Sequence, residues 1–275
     1  MHNFEFLRNV NIGQYLPVDS FLHRLDPRAR ILGYLFIIMA ATFSSHPAGL
    51  GLALLVVLTG LVIGRIPILF ALRSLLPPLP FLVILAILQI FLAVRPADAL
   101  PLAQIGPVTL YASGLVAAGM LLLRFAVLIL GLGLASYTLS TSEMIHGLEV
   151  LLKPLNRIGI PTHDLVMVVQ VTVRFIPFLA QAAERIAKAQ ASRGAEWGTR
   201  KGGLFKRVRQ VVPLIVPLFL TSLRRAETMA LAMDARGYGS PFQRTSLVVM
   251  KFHWQDGLVI GLAFGIAAAI LLLRL

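Results

Sequence analysis

The chain has 275 residues, 57% of them apolar and only 13% charged, with a mean hydropathy of +0.83. Soluble domains are about a quarter charged, so this composition excludes an ordinary soluble enzyme and places much of the chain in lipid. The net charge of +13 comes without the aromatic interleaving of a base-stacking surface, which argues against nucleic acid and for anionic headgroups or an acidic protein partner.

The first twenty residues are mixed and polar, without a basic stretch leading into an apolar core, so no cleavable signal is expected. Crossing about 30 Å of hydrocarbon takes roughly 20 apolar residues, and runs of that kind fall near 29–46, 48–64, 75–94, 110–139 and 257–274. Asp26-Pro27 is expected to start the first run, and Ser44-Ser45-His46-Pro47 reads as a tight turn to the second. Segment 95–109, with Pro96, Pro101, Gly106 and Pro107, reads as an irregular loop.

Lysine and arginine set the orientation. Arg8, Arg24, Arg28 and Arg30 precede or open the first run, Arg65 and Arg73 follow the second, and sixteen basic residues lie between Ser140 and Asp256. The other side carries only Arg95 and Arg274. The N-terminus is therefore expected in the cytoplasm and, after five spans, the C-terminus outside, in an inner or plasma membrane.

The cytoplasmic stretch reads as helices. Ser140-Thr141-Ser142-Glu143 is a capping box opening a helix that runs to about Lys153 and stops at Pro154. A second helix is expected from about Thr162 to Arg193 with a kink at Pro177, and a third from about Leu204 to Arg236 with kinks at Pro213 and Pro217. Both are apolar in their first halves, as in Val166-Met167-Val168-Val169 and around Ile215, and charged toward their ends. The expected fold is an all-α membrane protein: a four-span region over 1–139, cytoplasmic coupling helices over 140–256, and a last span over 257–275.

Each long helix ends in a small residue, an arginine and a glycine: Ser192-Arg193-Gly194 and Ala235-Arg236-Gly237. The arginines stand 43 positions apart, each with a glutamate nine residues upstream, Glu184 and Glu227. Arginine offers a planar, permanently charged fork of donors, and glycine ends a helix in a left-handed conformation that other residues adopt only at a cost. Either tripeptide alone reads as an ordinary helix end; the pair suggests two equivalent plugs.

Other residues have plain readings beside functional ones. Arg124 lies inside an apolar run with no acidic residue in any span to pair with it, so it either binds backbone carbonyls or serves function. Gly257, Gly261 and Gly265, and Gly60 with Gly64, form small-residue stripes expected to pack helices within the chain, with a partner-binding face as the alternative. The six histidines have no metal-ligand spacing, no phosphate-binding loop is present, and Glu143 and Glu149 are not on one helix face.

Several segments together resemble the T components of energy-coupling factor transporters. They are the run from Gly13 to Arg28, Gly147-Leu148-Glu149 through Pro154-Leu155-Asn156-Arg157-Ile158-Gly159-Ile160-Pro161, Arg174-Phe175-Ile176-Pro177, and the two arginine motifs with their flanks. Ser192 stands where the family usually has alanine.

The resemblance implies a non-catalytic scaffold of an ATP-driven vitamin or micronutrient importer. Its partners would be two ABC-type ATPases, which bind the ATP, and a small substrate-binding S component; no cofactor is implied for this chain. Ser192, Arg193, Gly194, Ala235, Arg236 and Gly237 would dock the ATPases, and Met167, Val168, Phe175 and Ile215 are candidates for S-component contact. Alternatives are a T subunit dedicated to a cobalt, nickel or biotin system, a lipid-acting membrane enzyme, and a passive membrane anchor.

Overall fold

The computed structural model describes residues 15–92, 101–105, 108–159, 161–194, 204–239, 250 and 252–273, with only the backbone for 92, 101–105, 108–110 and 204–210. Gly13-Gln14, Arg8, Arg95, Pro96, Gly106, Pro107, Ile160 and Arg274 lie outside the described residues. Two compact units emerge, one of Gly13–Ile160 with Met250–Leu275, the other containing Pro161–Val249.

The first unit is a helical bundle. Its elements are α1 (Phe21–Arg24), α2 (Pro27–Phe43), α3 (Pro47–Ile63), α4 (Ile68–Arg73), α5 (Leu79–Leu92), α6 (Ala112–Thr138), α7 (Thr141–Leu152) and α10 (Trp254–Leu272). Proline opens both α2 and α3, where its missing N–H has no intrahelical partner to lose. Asp26 caps α2 by accepting from the Arg28 N–H, and His46 caps α3 after the short turn that the sequence marks.

Lipid offers no hydrophobic drive between helices, so small residues and close packing hold such a bundle. α2 packs on α10, α6 and α7, and α6 also packs on α3 and α5. Ala40, Ala41, Ala53, Val57, Leu61, Val127, Leu134 and Ile270 fill the common core. A Cβ added to Gly114 would lie 2.6 Å from the Ile90 carbonyl oxygen, and one on Gly60 would lie 2.7 Å from Leu134 Cδ2. Glycine thus sets the α5–α6 approach, as Gly60 does between α3 and α6.

Three expectations change. The stripe on α10 does not pack within the chain: a Cβ on Gly261 or Gly265 would meet nothing within 4 Å. α10 instead buries Ala263, Ala267 and Ile270, a face offset from the glycines. Part of the 95–109 loop is a two-stranded antiparallel ribbon, β1 (Pro101–Ile105) and β2 (Val108–Tyr111), with Ile105 opposite Val108. Val108, Thr109 and Tyr111 are residue types that favour strands, a signal overshadowed by the surrounding prolines. The third span begins at Leu79, because the apolar residues ahead of it form the separate short helix α4 and a turn.

Arg124 takes the plainer of its two readings. Its Nη2 donates to the Ser44 carbonyl at 2.5 Å, satisfying a helix-end acceptor inside the apolar layer.

The second unit contains α8 (Thr162–Ser192) and α9 (Leu204–Ala235), which pack against each other. Pro177 lies inside α8, and Pro213 and Pro217 inside α9. By length and composition alone, the described helices long and apolar enough to cross a membrane are Ala112–Thr138, Thr162–Ser192 and Trp254–Leu272. α8 meets that standard even though the sequence reading sets it outside the spans; its second half nonetheless carries Glu184, Arg185 and Lys188.

Candidate functional site

The α8–α9 pair is antiparallel. Tyr238 Oη, just past α9, donates to Asp164 Oδ1 in the first turn of α8 at 3.3 Å. Farther along, the Arg225 guanidinium of α9 lies over the Phe178 ring of α8, 5.2 Å from its centroid. Along the same pair runs an apolar groove lined by Val171, Phe175 and Leu179 from α8 and by Phe219, Leu223 and Met229 from α9.

This arrangement sends the two arginine motifs to opposite ends. Arg193 lies 15 residues beyond Phe178, and Arg236 lies 11 residues beyond Arg225 in the other direction. At about 1.5 Å of rise per residue, the two tips stand on the order of 40 Å apart.

Both tips are built alike. Arg193 and Arg236 are the last residues before glycines with φ of +85° and +75°. At the second tip the Tyr238 N–H reaches back to the Met233 carbonyl and the Gly237 N–H to Asp234, the two bonds of a Schellman cap. At the first tip the Gly194 N–H makes the matching bond to Ala191. The left-handed glycines expected from the sequence are therefore present at both ends.

Both guanidiniums are exposed, and neither has a hydrogen-bond or ion-pair partner among the described residues. Glu184 does not serve Arg193; it takes Lys188 at 2.6 Å, one helical turn on. Ser192 turns its hydroxyl back to the Ala189 carbonyl at 2.9 Å, so its departure from alanine adds no outward-facing donor. Ser192, Ala235 and Gly237 are exposed beside their arginines, leaving small shoulders at each tip.

The four candidate S-component residues do not form one patch. Phe175 lines the groove and meets the Phe178 ring at 6.0 Å, whereas Val168 and Ile215 are exposed and Met167 is half-buried. α9 is the more open helix, with Val211, Val212, Ile215, Val216, Phe219 and Leu220 all exposed. Bare apolar surface of this extent needs lipid or another protein to cover it.

A feature the sequence reading misses lies in the first unit, where α6 turns into α7. Arg30, one turn into α2, is 3% exposed and donates through Nη1 to the Thr138 carbonyl and through Nη2 to Glu143 Oε1. Glu143 Oε2 accepts from the Ser140 N–H at 3.0 Å, and the Glu143 N–H donates to Ser140 Oγ, completing the capping box. Tyr34 Oη bonds Thr138 Oγ1 at 2.8 Å. Burial pushes the Glu143 carboxyl up, but the Ser140 N–H and the Arg30 charge outweigh it and hold the group below its ordinary value.

Gly147 brings α7 flat onto α2, since a Cβ there would lie 2.8 Å from Ile31 Cδ1 and 3.2 Å from Pro27 Cβ. Glu149, by contrast, pairs with His146 at 3.5 Å on its own helix. A partner search confined to the spans overlooks Arg30, because its carboxylate sits just beyond the end of α6.

A multi-helix apolar bundle, in one chain with a helical hairpin carrying two matched cationic tips, marks an all-α membrane protein. The comparisons with known proteins give the family. The family model described as cobalt transport protein, CbiQ, matches residues 19–247. The energy-coupling factor transporter transmembrane protein EcfT of Brevibacillus brevis is 37% identical over 256 residues, covering 92% of this chain and 94% of the relative. The proteins of the same name from Clostridium kluyveri and Acidaminococcus fermentans are 35% and 34% identical, covering 91% and 92% of both chains. The chain belongs to this family of energy-coupling factor transporter transmembrane proteins.

Proposed function

We propose that the chain couples ATP hydrolysis by two separate ATPase subunits to uptake of a vitamin or other micronutrient captured by a third protein, the S component. The observation that carries this reading is the pair of like-built arginine tips at opposite ends of one antiparallel hairpin. A free guanidinium on a left-handed glycine cap, flanked by small residues, can enter a groove and make bidentate bonds to carboxylates or carbonyls. Two such tips on the order of 40 Å apart suit two copies of one kind of subunit rather than a single partner.

Closure of the ATPases on ATP would then move both tips together. The apolar face of α9 would pass that motion to the S component. Substrate recognition belongs to that partner, so no residue of this chain is assigned to it, and no cofactor is proposed for this chain. The excess of lysine and arginine on one side of the spans supports a cytoplasmic N-terminus.

Tagged purification from membranes tests the reading, with wild type beside Arg193→Glu/Arg236→Glu. Wild type should bring down ATPase subunits and small membrane proteins, and the double variant should lose the ATPases. Retention of the full set by the variant would sink arginine docking. The cobalt transport description of the family model supports a dedicated system as a second reading. A single small membrane partner would favour that form, and several different ones a shared module.

A further inference from the structure

Residues 161–249 belong to the second unit, so the chain leaves the first unit after residue 160 and returns at Met250. A displacement of that segment therefore acts on the bundle along the chain through two crossings. The last α-helix before the exit is α7, and the first after the return is α10. Both pack on α2, and both are fastened to its first turn.

On the return side the fastening is Asp256, which is 1% exposed. Its Oδ1 accepts from the Asp26 N–H at 2.8 Å, and its Oδ2 accepts from the His253 N–H at 2.7 Å. One carboxylate thus joins the cap of α10 to the residue that caps α2. The Asp26 carboxylate is itself turned onto α2, where it accepts from the Arg28 N–H. Bonds to an ionised acceptor are about twice as strong as neutral ones, and the starts of two helices both favour negative charge.

On the exit side the fastening is the Arg30–Glu143 pair, one helical turn farther along α2. Arg30 also holds the Thr138 carbonyl at the end of α6, and Gly147 lets α7 lie against Pro27 and Ile31. Asp26 and Arg30 thus gather both ends of the intervening segment within about 6 Å along one helix. Stability alone does not account for these groups. Desolvation offsets much of the attraction between buried charges, and α2 already packs on α10 through Gly33 beside Ala263 and Phe36 against Phe264. What the charged bonds add is a fixed orientation.

We infer that the first turn of α2 is the common root on which the α8–α9 hairpin swings. Asp256 and the Arg30–Glu143 pair are positioning residues that stop α7 and α10 from separating when the hairpin moves. Coupling over a distance needs rigid elements that do not absorb the motion. The inference rests on the proposed function, since partner ATPases must supply the movement.

Spin-label distance measurements on the complex with its ATPases test it, without nucleotide and with ATP plus vanadate. The chain has no cysteine, so in this chain only introduced sites are labelled, and the unsubstituted complex gives the partners' background. Leu148→Cys/Leu262→Cys spans α7 and α10, and Thr221→Cys/Leu262→Cys spans hairpin and bundle; all three positions are exposed. In wild type, nucleotide should shift the hairpin-to-bundle distance by about 2 Å or more and leave the α7–α10 distance unchanged.

Asp256→Asn keeps one acceptor but turns an amide toward an N–H donor. It should make the α7–α10 distance nucleotide-dependent and shrink the hairpin shift. Glu143→Gln should do the same from the exit side, and keeps the test open if Asp256→Asn folds poorly. Gly114→Ala loosens the same bundle between α5 and α6 and should respond as wild type does.

An α7–α10 distance that changes with nucleotide in wild type would overturn the common root. So would wild-type behaviour in both pin variants, or loss of the response in Gly114→Ala as well. A complex without ATPases, or one in which nucleotide moves neither distance, would sink the proposed function and the root with it.

Discussion

Arg30 Nη2 and Glu143 Oε1 meet at 3.0 Å across 113 residues of sequence, tying the start of α2 to the capping box of α7. Arg30 is fully enclosed while Glu143 keeps 35% of its side chain exposed, so the pair is a buried cation with a half-wet counter-ion. It fixes where the chain leaves the bundle after α6, which is where the coupling helices begin in the proposed function.

Breaking this pair from one side strands a buried charge. Glu143→Gln is expected to destabilise the protein by about 1–3 kcal/mol, less than a fully buried pair because Glu143 reaches water. Arg30→Met/Glu143→Met should recover much of that loss. Thermal unfolding in detergent reads both, and a double variant weaker than the sum of the singles would contradict the pairing.

The pair also carries a pH signature. The Glu143 carboxyl is held below its ordinary value of 4.5 in the folded chain. A depressed folded pKa means that its stabilisation is complete above 4.5 and is lost as pH falls through the lower folded value. The melting difference between wild type and Glu143→Gln should therefore be constant at about pH 6–8 and shrink on acidification below 4.5. A difference that widens in acid would have the wrong sign.

Glycines separate packed from open helix faces. Gly114→Ala should cost about 1–3 kcal/mol, because the new Cβ meets backbone on α5 that cannot turn aside. Gly147→Val should loosen α7 on α2 by a similar amount. Gly261→Ala should change stability by less than about 0.5 kcal/mol. Comparable melting shifts for Gly114→Ala and Gly261→Ala would show that the helix contacts are misdrawn.

At the arginine tips the constraint is conformational rather than steric, since nothing lies within 4 Å of a Cβ at Gly194 or Gly237. Gly237→Ala should cost about 1–2 kcal/mol, confined to the last turn. Hydrogen exchange at the Gly237 and Tyr238 amides should accelerate by about 5–30-fold, with the α6 amides unchanged. Exchange that is unaltered at the cap would argue that alanine fits there without strain.

Much of this architecture was readable from the residues. Asp26-Pro27, His46-Pro47 and Ser140 with Glu143 mark helix starts because each supplies a missing acceptor or omits a surplus donor. The left-handed glycines at 194 and 237 were legible for the same local reason. Features that depend on distant partners were not. Arg30 is paired through α7, the α10 glycines face outward, and α7 belongs to the same compact unit as the membrane helices; none of these follows from periodicity in one segment. The two arginine motifs stand out by their pattern, but their placement at opposite ends follows only once Tyr238 and Asp164 show the hairpin to be antiparallel.

In the proposed function each arginine tip holds one ATPase. Native mass spectrometry of the purified complex tests it most directly, comparing wild type with Arg193→Glu, Arg236→Glu and the double variant. Two ATPase subunits are expected on wild type, one on each single variant and none on the double. Two ATPases retained on all four proteins would contradict it.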